Sequence, residues 1–127
     1  MRYLGIDYGD KRIGLAISDE DGMFAFPRTT VENSPAVFLE IKKMCEEEKI
    51  GKIILGIPVS FSGELSAQAK AVRRFGDMFA ETTRIPIAYE NEILTTSQAE
   101  RSGAGRKTID QSSAALILQG WLDRVKK

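Results

Sequence analysis

The chain has 127 residues, enough for one domain with a real core and too few for two. Its 43% apolar and 28% charged residues are the balance of an ordinary globular protein, and 18 Lys plus Arg against 18 Asp plus Glu leave no net charge, so bulk charge neither favours a nucleic-acid partner nor excludes a local basic surface. The absence of histidine removes His-based acid–base catalysis, His-activated nucleophiles and the common zinc ligand sets, and the single cysteine, Cys45, removes an internal disulfide.

Taken in chain order, residues 2 to 7 read as a strand buried on both faces in its middle. Tyr8 to Arg12 is a polar turn, and Ile13 to Ser18 is a second strand. Asp19-Glu20-Asp21-Gly22 is a turn signal before an extended segment from Met23 to Val31, where Pro27 favours an edge position. Ser34-Pro35 reads as an N-cap with proline at the first helical position. The helix that follows carries Val37, Phe38, Ile41, Met44, Cys45 and Glu48 on one mostly apolar face, which places Cys45 in the core.

Lys52 to Ile57 is the next buried strand, stopped by Pro58. After a loop at 59–64, a helix aligns Leu65, Ala69, Val72, Phe75, Gly76 and Phe79. Ile85 to Glu90 is a fifth strand entered through Pro86. Thr95 with Gln98 resembles a capping box for a short helix ending near Gly103, and 103–109 reads as a basic loop. From Asp110 a last helix turns Ala114, Ile117, Leu118, Trp121, Leu122 and Val125 inward. No stretch resembles a signal peptide or an apolar span long enough for a bilayer, so a cytoplasmic protein is expected.

The order β-β-β-α-β-α-β-α-α fits an antiparallel meander continued by parallel strand–helix–strand units. The expected fold is α/β: a mixed five-stranded sheet, helices on both faces, strand 1 at its centre. A carboxylate at the end of a central strand is costly unless solvated, paired or metal-bound. Asp7 occupies that position, while Glu92 and Asp110 stand at the edges of later elements. Brought together by the sheet, the three would suit Mg²⁺ or Mn²⁺, hard ions that prefer oxygen ligands. Two such ions can hold the attacking and leaving oxygens of a phosphodiester without any histidine. Each carboxylate also has a plainer reading: a turn residue for Asp7, surface solvation for Glu92, an N-cap for Asp110. Lys11, Arg12, Arg101, Arg106 and Lys107 are candidates for phosphate contacts, with Arg106-Lys107 the better case because it lies just upstream of Asp110.

These residues also carry a specific resemblance. Gly5-Ile6-Asp7-Tyr8-Gly9-Asp10-Lys11-Arg12-Ile13-Gly14-Leu15-Ala16 resembles the opening signature of the YqgF/RuvX family, bacterial proteins described as Holliday-junction-resolvase-like or as pre-16S rRNA nucleases. Gly56-Ile57-Pro58 through Gly63, with Gln68-Ala69 and Val72-Arg73-Arg74-Phe75, is similar to the family's middle motif. Glu92 with Leu94-Thr95-Thr96 and Ala99-Glu100 is similar to its third, and Asp110 with Ala114-Ala115 and Ile117-Leu118-Gln119 to its last. The resemblance implies a ribonuclease H-like fold, divalent-metal phosphodiester hydrolysis at Asp7, Glu92 and Asp110, and trimming of the 5′ end of precursor 16S rRNA. One departure stands out: Asn91-Glu92-Ile93 replaces the family's usual Asp-Glu-Arg, keeping the glutamate and losing a cation. Two other readings stay open. A four-way DNA junction resolvase would require a symmetric homodimer. A non-catalytic protein binding RNA or a pre-ribosome would keep the scaffold without cleavage.

Overall fold

A computed structural model describes residues 1–58, 65–91 and 113–125. The elements are β1 (Arg2–Tyr8), β2 (Arg12–Ser18), β3 (Ala25–Glu32), α1 (Val37–Glu47), β4 (Ile50–Ile57), α2 (Ala67–Thr83), β5 (Ile87–Asn91) and α3 (Ser113–Val125). They form one five-stranded sheet in the order β3-β2-β1-β4-β5. Strands β1 and β2 and strands β2 and β3 pair antiparallel, whereas β1 pairs parallel with β4 and β4 with β5. The central β1 and the edge position of the Pro27 strand are as the sequence pattern predicts.

Side-chain alternation divides the core between the two faces of the sheet. Leu4, Ile6, Ile13, Leu15, Ile53 and Leu55 pack with α1 and α2, whose Val37, Ile41, Cys45, Val72, Phe75 and Phe79 are buried. On the opposite face Ala16 and Ile54 pack beneath α3 through Ala114, Leu118, Trp121 and Leu122. Gly5 permits this close approach: a Cβ there would stand 2.7 Å from Leu118 Cβ and 2.9 Å from the Ala114 carbonyl. By the same alternation Asp7 belongs to the α3 face.

Three local expectations are corrected. Ser34 does not cap α1; its Oγ accepts from the Ala36 N–H and its carbonyl from the Val37 N–H, forming a turn, and the helix starts at Val37 behind an Ala36 cap with no side-chain hydrogen bond. Strand β5 begins two residues later than expected, although the Pro86 carbonyl still accepts from the Ile53 N–H. Val125, expected to point inward, is 54% exposed at the end of α3. Helix α2 opens on Ser66, whose hydroxyl accepts from the Ala69 N–H. The short helix expected after Thr95 lies outside the described residues. None of the described helices is long and apolar enough to cross a membrane.

Candidate nuclease site around Asp7

Asp7 is the penultimate residue of β1 and is half-buried. Its partner on β2 is Gly14, and Gly14 is in turn the partner of Thr30 on β3. Paired positions share a face, so one row across three strands reads carboxylate, bare backbone, hydroxyl. Above the row lies a cavity of about 140 Å³ lined by Asp7, Gly14, Ser113, Ala114 and, on β3, the residues from Pro27 to Thr30.

The turn after Asp7 is pinned from two sides. Asn33 donates its side-chain amide to the Gly9 carbonyl at 2.9 Å and its backbone N–H to the Lys11 carbonyl at 2.9 Å. Gln68 at the start of α2 approaches the Tyr8 carbonyl at 3.4 Å. Gly9 is needed for closeness, since a Cβ there would lie 2.6 Å from the Arg12 carbonyl oxygen. Lys11 and Arg12 are exposed in this turn, at the Asp7 end of the sheet. Gln68 falls within a recognised motif, but nothing near Asn33 in the sequence marks its role, because its partners lie more than twenty residues away.

The carboxylate next to Glu92 in sequence has a separate role. Glu90 is buried and accepts two hydrogen bonds from Arg124 of α3. Burial pushes its carboxyl above the ordinary carboxylate value, and the Arg124 guanidinium opposes that rise without cancelling it. Elsewhere on that face Tyr3 and Lys52 both lie 5.2 Å from the Trp121 ring, the indole packing expected of Trp121.

Across residues 1–124 the chain matches the family model described as RuvX, Holliday junction resolvase. The chain belongs to the RuvX family. A RuvX relative from Thermoanaerobacter pseudethanolicus, named "Putative pre-16S rRNA nuclease", is 42% identical over 99% of each chain. One of the same name from Maridesulfovibrio salexigens is 38% identical over 98% of this chain and 99% of its own. Among solved structures, the backbone is similar to Thermus thermophilus RuvC in complex with a Holliday junction substrate, with a TM-score of 0.63 and 13% identity over 98% of this chain and 96% of that one. It is also similar to the fowlpox virus Holliday junction resolvase, with a TM-score of 0.56 and 11% identity over 98% and 99% of the two chains. These likenesses place the RuvX chain in the ribonuclease H-like fold.

Of the sequence-derived RuvX site residues, Asp7, Lys11 and Arg12 sit together at one end of the sheet. Glu92, Arg101, Arg106, Lys107 and Asp110 lie outside the described residues. Among the described residues no cluster of three or more potential metal ligands forms. The donor chemistry nevertheless suits a hard cation: the cavity offers a carboxylate and hydroxyls, and neither histidine nor cysteine lines it. The two flanking segments end at the same end of the sheet or at the cavity itself. Asn91, the last residue of β5, pairs with Ile57 at the Asp7 end of the sheet, and Ser113, which opens α3, lines the cavity.

Proposed function

We propose that this protein is a divalent-metal-dependent nuclease that trims the 5′ end of precursor 16S rRNA. The observation that carries the reading is the half-buried Asp7 carboxylate at the end of the central strand, lining a cavity whose other side-chain oxygens are hydroxyls. The names of the relatives support the substrate class.

In this reading Asp7, Glu92 and Asp110 hold two Mg²⁺ or Mn²⁺ ions. Bound there, the ions neutralise phosphate charge and lower the pKa of water. Asp7 would contribute its carboxylate from the end of the central strand, where it lines the cavity. Lys11 and Arg12, in the turn above it, attract and orient phosphates, with Arg101, Arg106 and Lys107 completing the cationic set. The tight Gly9 turn holds Lys11 and Arg12 near Asp7 while keeping their side chains in solvent. The protein acts in the cytoplasm.

The test is cleavage by wild-type and Asp7→Asn protein of single-stranded RNA, precursor-rRNA ends and four-way DNA, with Mg²⁺, Mn²⁺ or EDTA. Metal-dependent cutting of the RNA ends, lost in the variant, supports the proposal. Preferential cutting of four-way DNA by a dimer selects the resolvase reading instead, which the RuvC likeness in fold accommodates. Retained metal-dependent cleavage by Asp7→Asn refutes the assignment of Asp7. RNA binding without cleavage under any divalent metal selects the binding role.

A further inference from the structure

Helix α2 meets the Asp7 end of the sheet at its first turn. Ser66 caps it, Gln68 reaches toward the Tyr8 carbonyl, and the Tyr8 ring packs on Phe75 with centroids 4.8 Å apart. Tyr8 and Asp7 are neighbours on β1, so their side chains lie on opposite faces of the sheet. Helix α2 therefore covers the face turned away from the cavity.

The charges of α2 are sorted along its length. Lys70, Arg73 and Arg74 are exposed in its first half, and Asp77 and Glu81 are exposed in its second. Their spacing of three and four residues makes the three cations neighbours on the helix surface. They stand at the wrong end for the helix itself. The macrodipole is positive there and favours acids, yet the first turn holds no acid and ends on Lys70. Nor do ion pairs consume them: Asp77 follows both arginines at helical spacing, but among the described residues neither arginine nor Lys70 is in an ion pair. Arg73 is held by a ring instead. Its guanidinium carbon lies 5.4 Å from the centroid of Tyr89, whose hydroxyl sits so close beneath α2 that a Cβ on Gly76 would collide with it. Stacked in this way, a guanidinium keeps its in-plane N–H donors open to an anion.

We infer that α2 carries a phosphate-binding surface on the sheet face opposite the cavity: RNA flanking the cleaved bond rounds the Asp7 end of the sheet and lies against Lys70, Arg73 and Arg74. Cations of this kind hold a nucleic-acid backbone in place without reading its sequence. Each phosphate they neutralise releases counterions, so the surface has a signature in the salt dependence of binding. The inference rests on the nuclease reading of Asp7 and adds where the substrate runs beyond the cavity.

The experiment measures single-stranded RNA binding by fluorescence anisotropy across a range of salt, for wild type, Lys70→Gln, Arg73→Gln, Arg74→Gln, Arg73→Lys and the control Lys49→Gln. Lys49 is an exposed cation beside the start of β4, at the end of the sheet away from Asp7. Expected are wild-type melting temperatures throughout and binding weaker by about 2–5-fold for each cation removed from α2, the value of one exposed ion pair. The slope of log K against log salt should become shallower by about 0.7 per cation. Lys49→Gln should change neither. Arg73→Lys should keep the wild-type slope and bind more weakly, because the charge stays and the stack on Tyr89 is lost. The losses should appear on RNA long enough to leave the cavity and vanish on the shortest oligonucleotide that binds. Wild-type affinity and slope in all three glutamine variants of α2 overturn the surface, as does an equal loss in Lys49→Gln or on the shortest oligonucleotide. A wild type that binds RNA but does not cut refutes the nuclease reading alone, and the binding comparison still decides the surface. A wild type that binds no RNA refutes both.

Discussion

Arg124 near the end of α3 donates from Nη1 to Oε2 of Glu90 on β5 at 2.9 Å, and a second contact joins Nη2 to Oε1. The carboxylate is buried while the guanidinium is about half exposed, so the two partners are unequal. Removing the cation strands a buried acid, whereas neutralising the acid leaves an arginine that water can still reach. Arg124→Met should therefore destabilise the fold by about 2–3 kcal/mol, below the full cost of breaking a buried pair because the arginine is half solvated. Glu90→Gln should cost less. Urea unfolding of the two variants checks the order, and a larger loss for Glu90→Gln would contradict it.

Gly5 sets how closely α3 sits over the α3 face of β1. In Gly5→Ala the new methyl would lie 2.7 Å from Leu118 Cβ and 2.9 Å from the Ala114 carbonyl, so the helix must shift. Overpacking of this kind costs about 1–3 kcal/mol. Because Ala114 and Ser113 also line the Asp7 cavity, activity should fall by more than the folded fraction does. Thermal melting paired with specific activity at a temperature where the variant is folded separates the two effects.

Asn33 holds the turn that carries Lys11 and Arg12. Asn33→Ala removes the side-chain bond to the Gly9 carbonyl and should cost about 1 kcal/mol. RNA affinity should weaken as the two cations lose their fixed positions, and the loss should shrink at high salt, where phosphate contacts are screened. Titrations at two ionic strengths test this.

The Cys45 thiol is pushed up to about 11, first by burial and then by the neighbouring Glu46. Native protein should resist alkylation at neutral pH, with rapid reaction in denaturant. The linkage has a definite sign: the folded state holds the thiol proton that the unfolded state releases at about 9, so stability is full below pH 9 and falls as pH rises toward 11. Denaturant midpoints across that interval, compared with those of Cys45→Ala, should differ in slope in that direction.

Much of this was legible in the residues because it is periodic. The buried run through Leu4 and Ile6, the α1 face at Val37, Ile41 and Cys45, and the α2 face at Val72, Phe75 and Phe79 repeat at strand or helix spacing, and burial follows them. Asp7 was conspicuous because a charge at the end of such a run needs a reason. Pairings across the fold were not legible. The Glu90–Arg124 pair joins residues 34 apart, and before folding Glu90 resembles any surface glutamate beside Asn91. Ser34 misled because the Ser-Pro pattern is shared by caps and turns, and only the hydrogen-bond partner of its Oγ separates them. The bulge that leaves Arg28 unpaired between the Leu15–Thr29 and Ala16–Pro27 pairs has no local signal, since the slip exists only relative to β2. Asp7, Lys11 and Arg12 lie together at one end of the sheet, and the remaining residues of the expected site fall in the segment from 92 to 112, outside the described residues.

The last described helix lies against the first strand, and Gln119 of α3 accepts from the Ala25 N–H, 94 residues earlier. During synthesis the wall of the Asp7 cavity formed by Ser113 and Ala114 is therefore made more than a hundred residues after the strand end that it faces. Until α3 docks, the sheet face at Gly5, Ala16 and Ile54 lacks the helix that covers it, and Asp7 stands without its cavity.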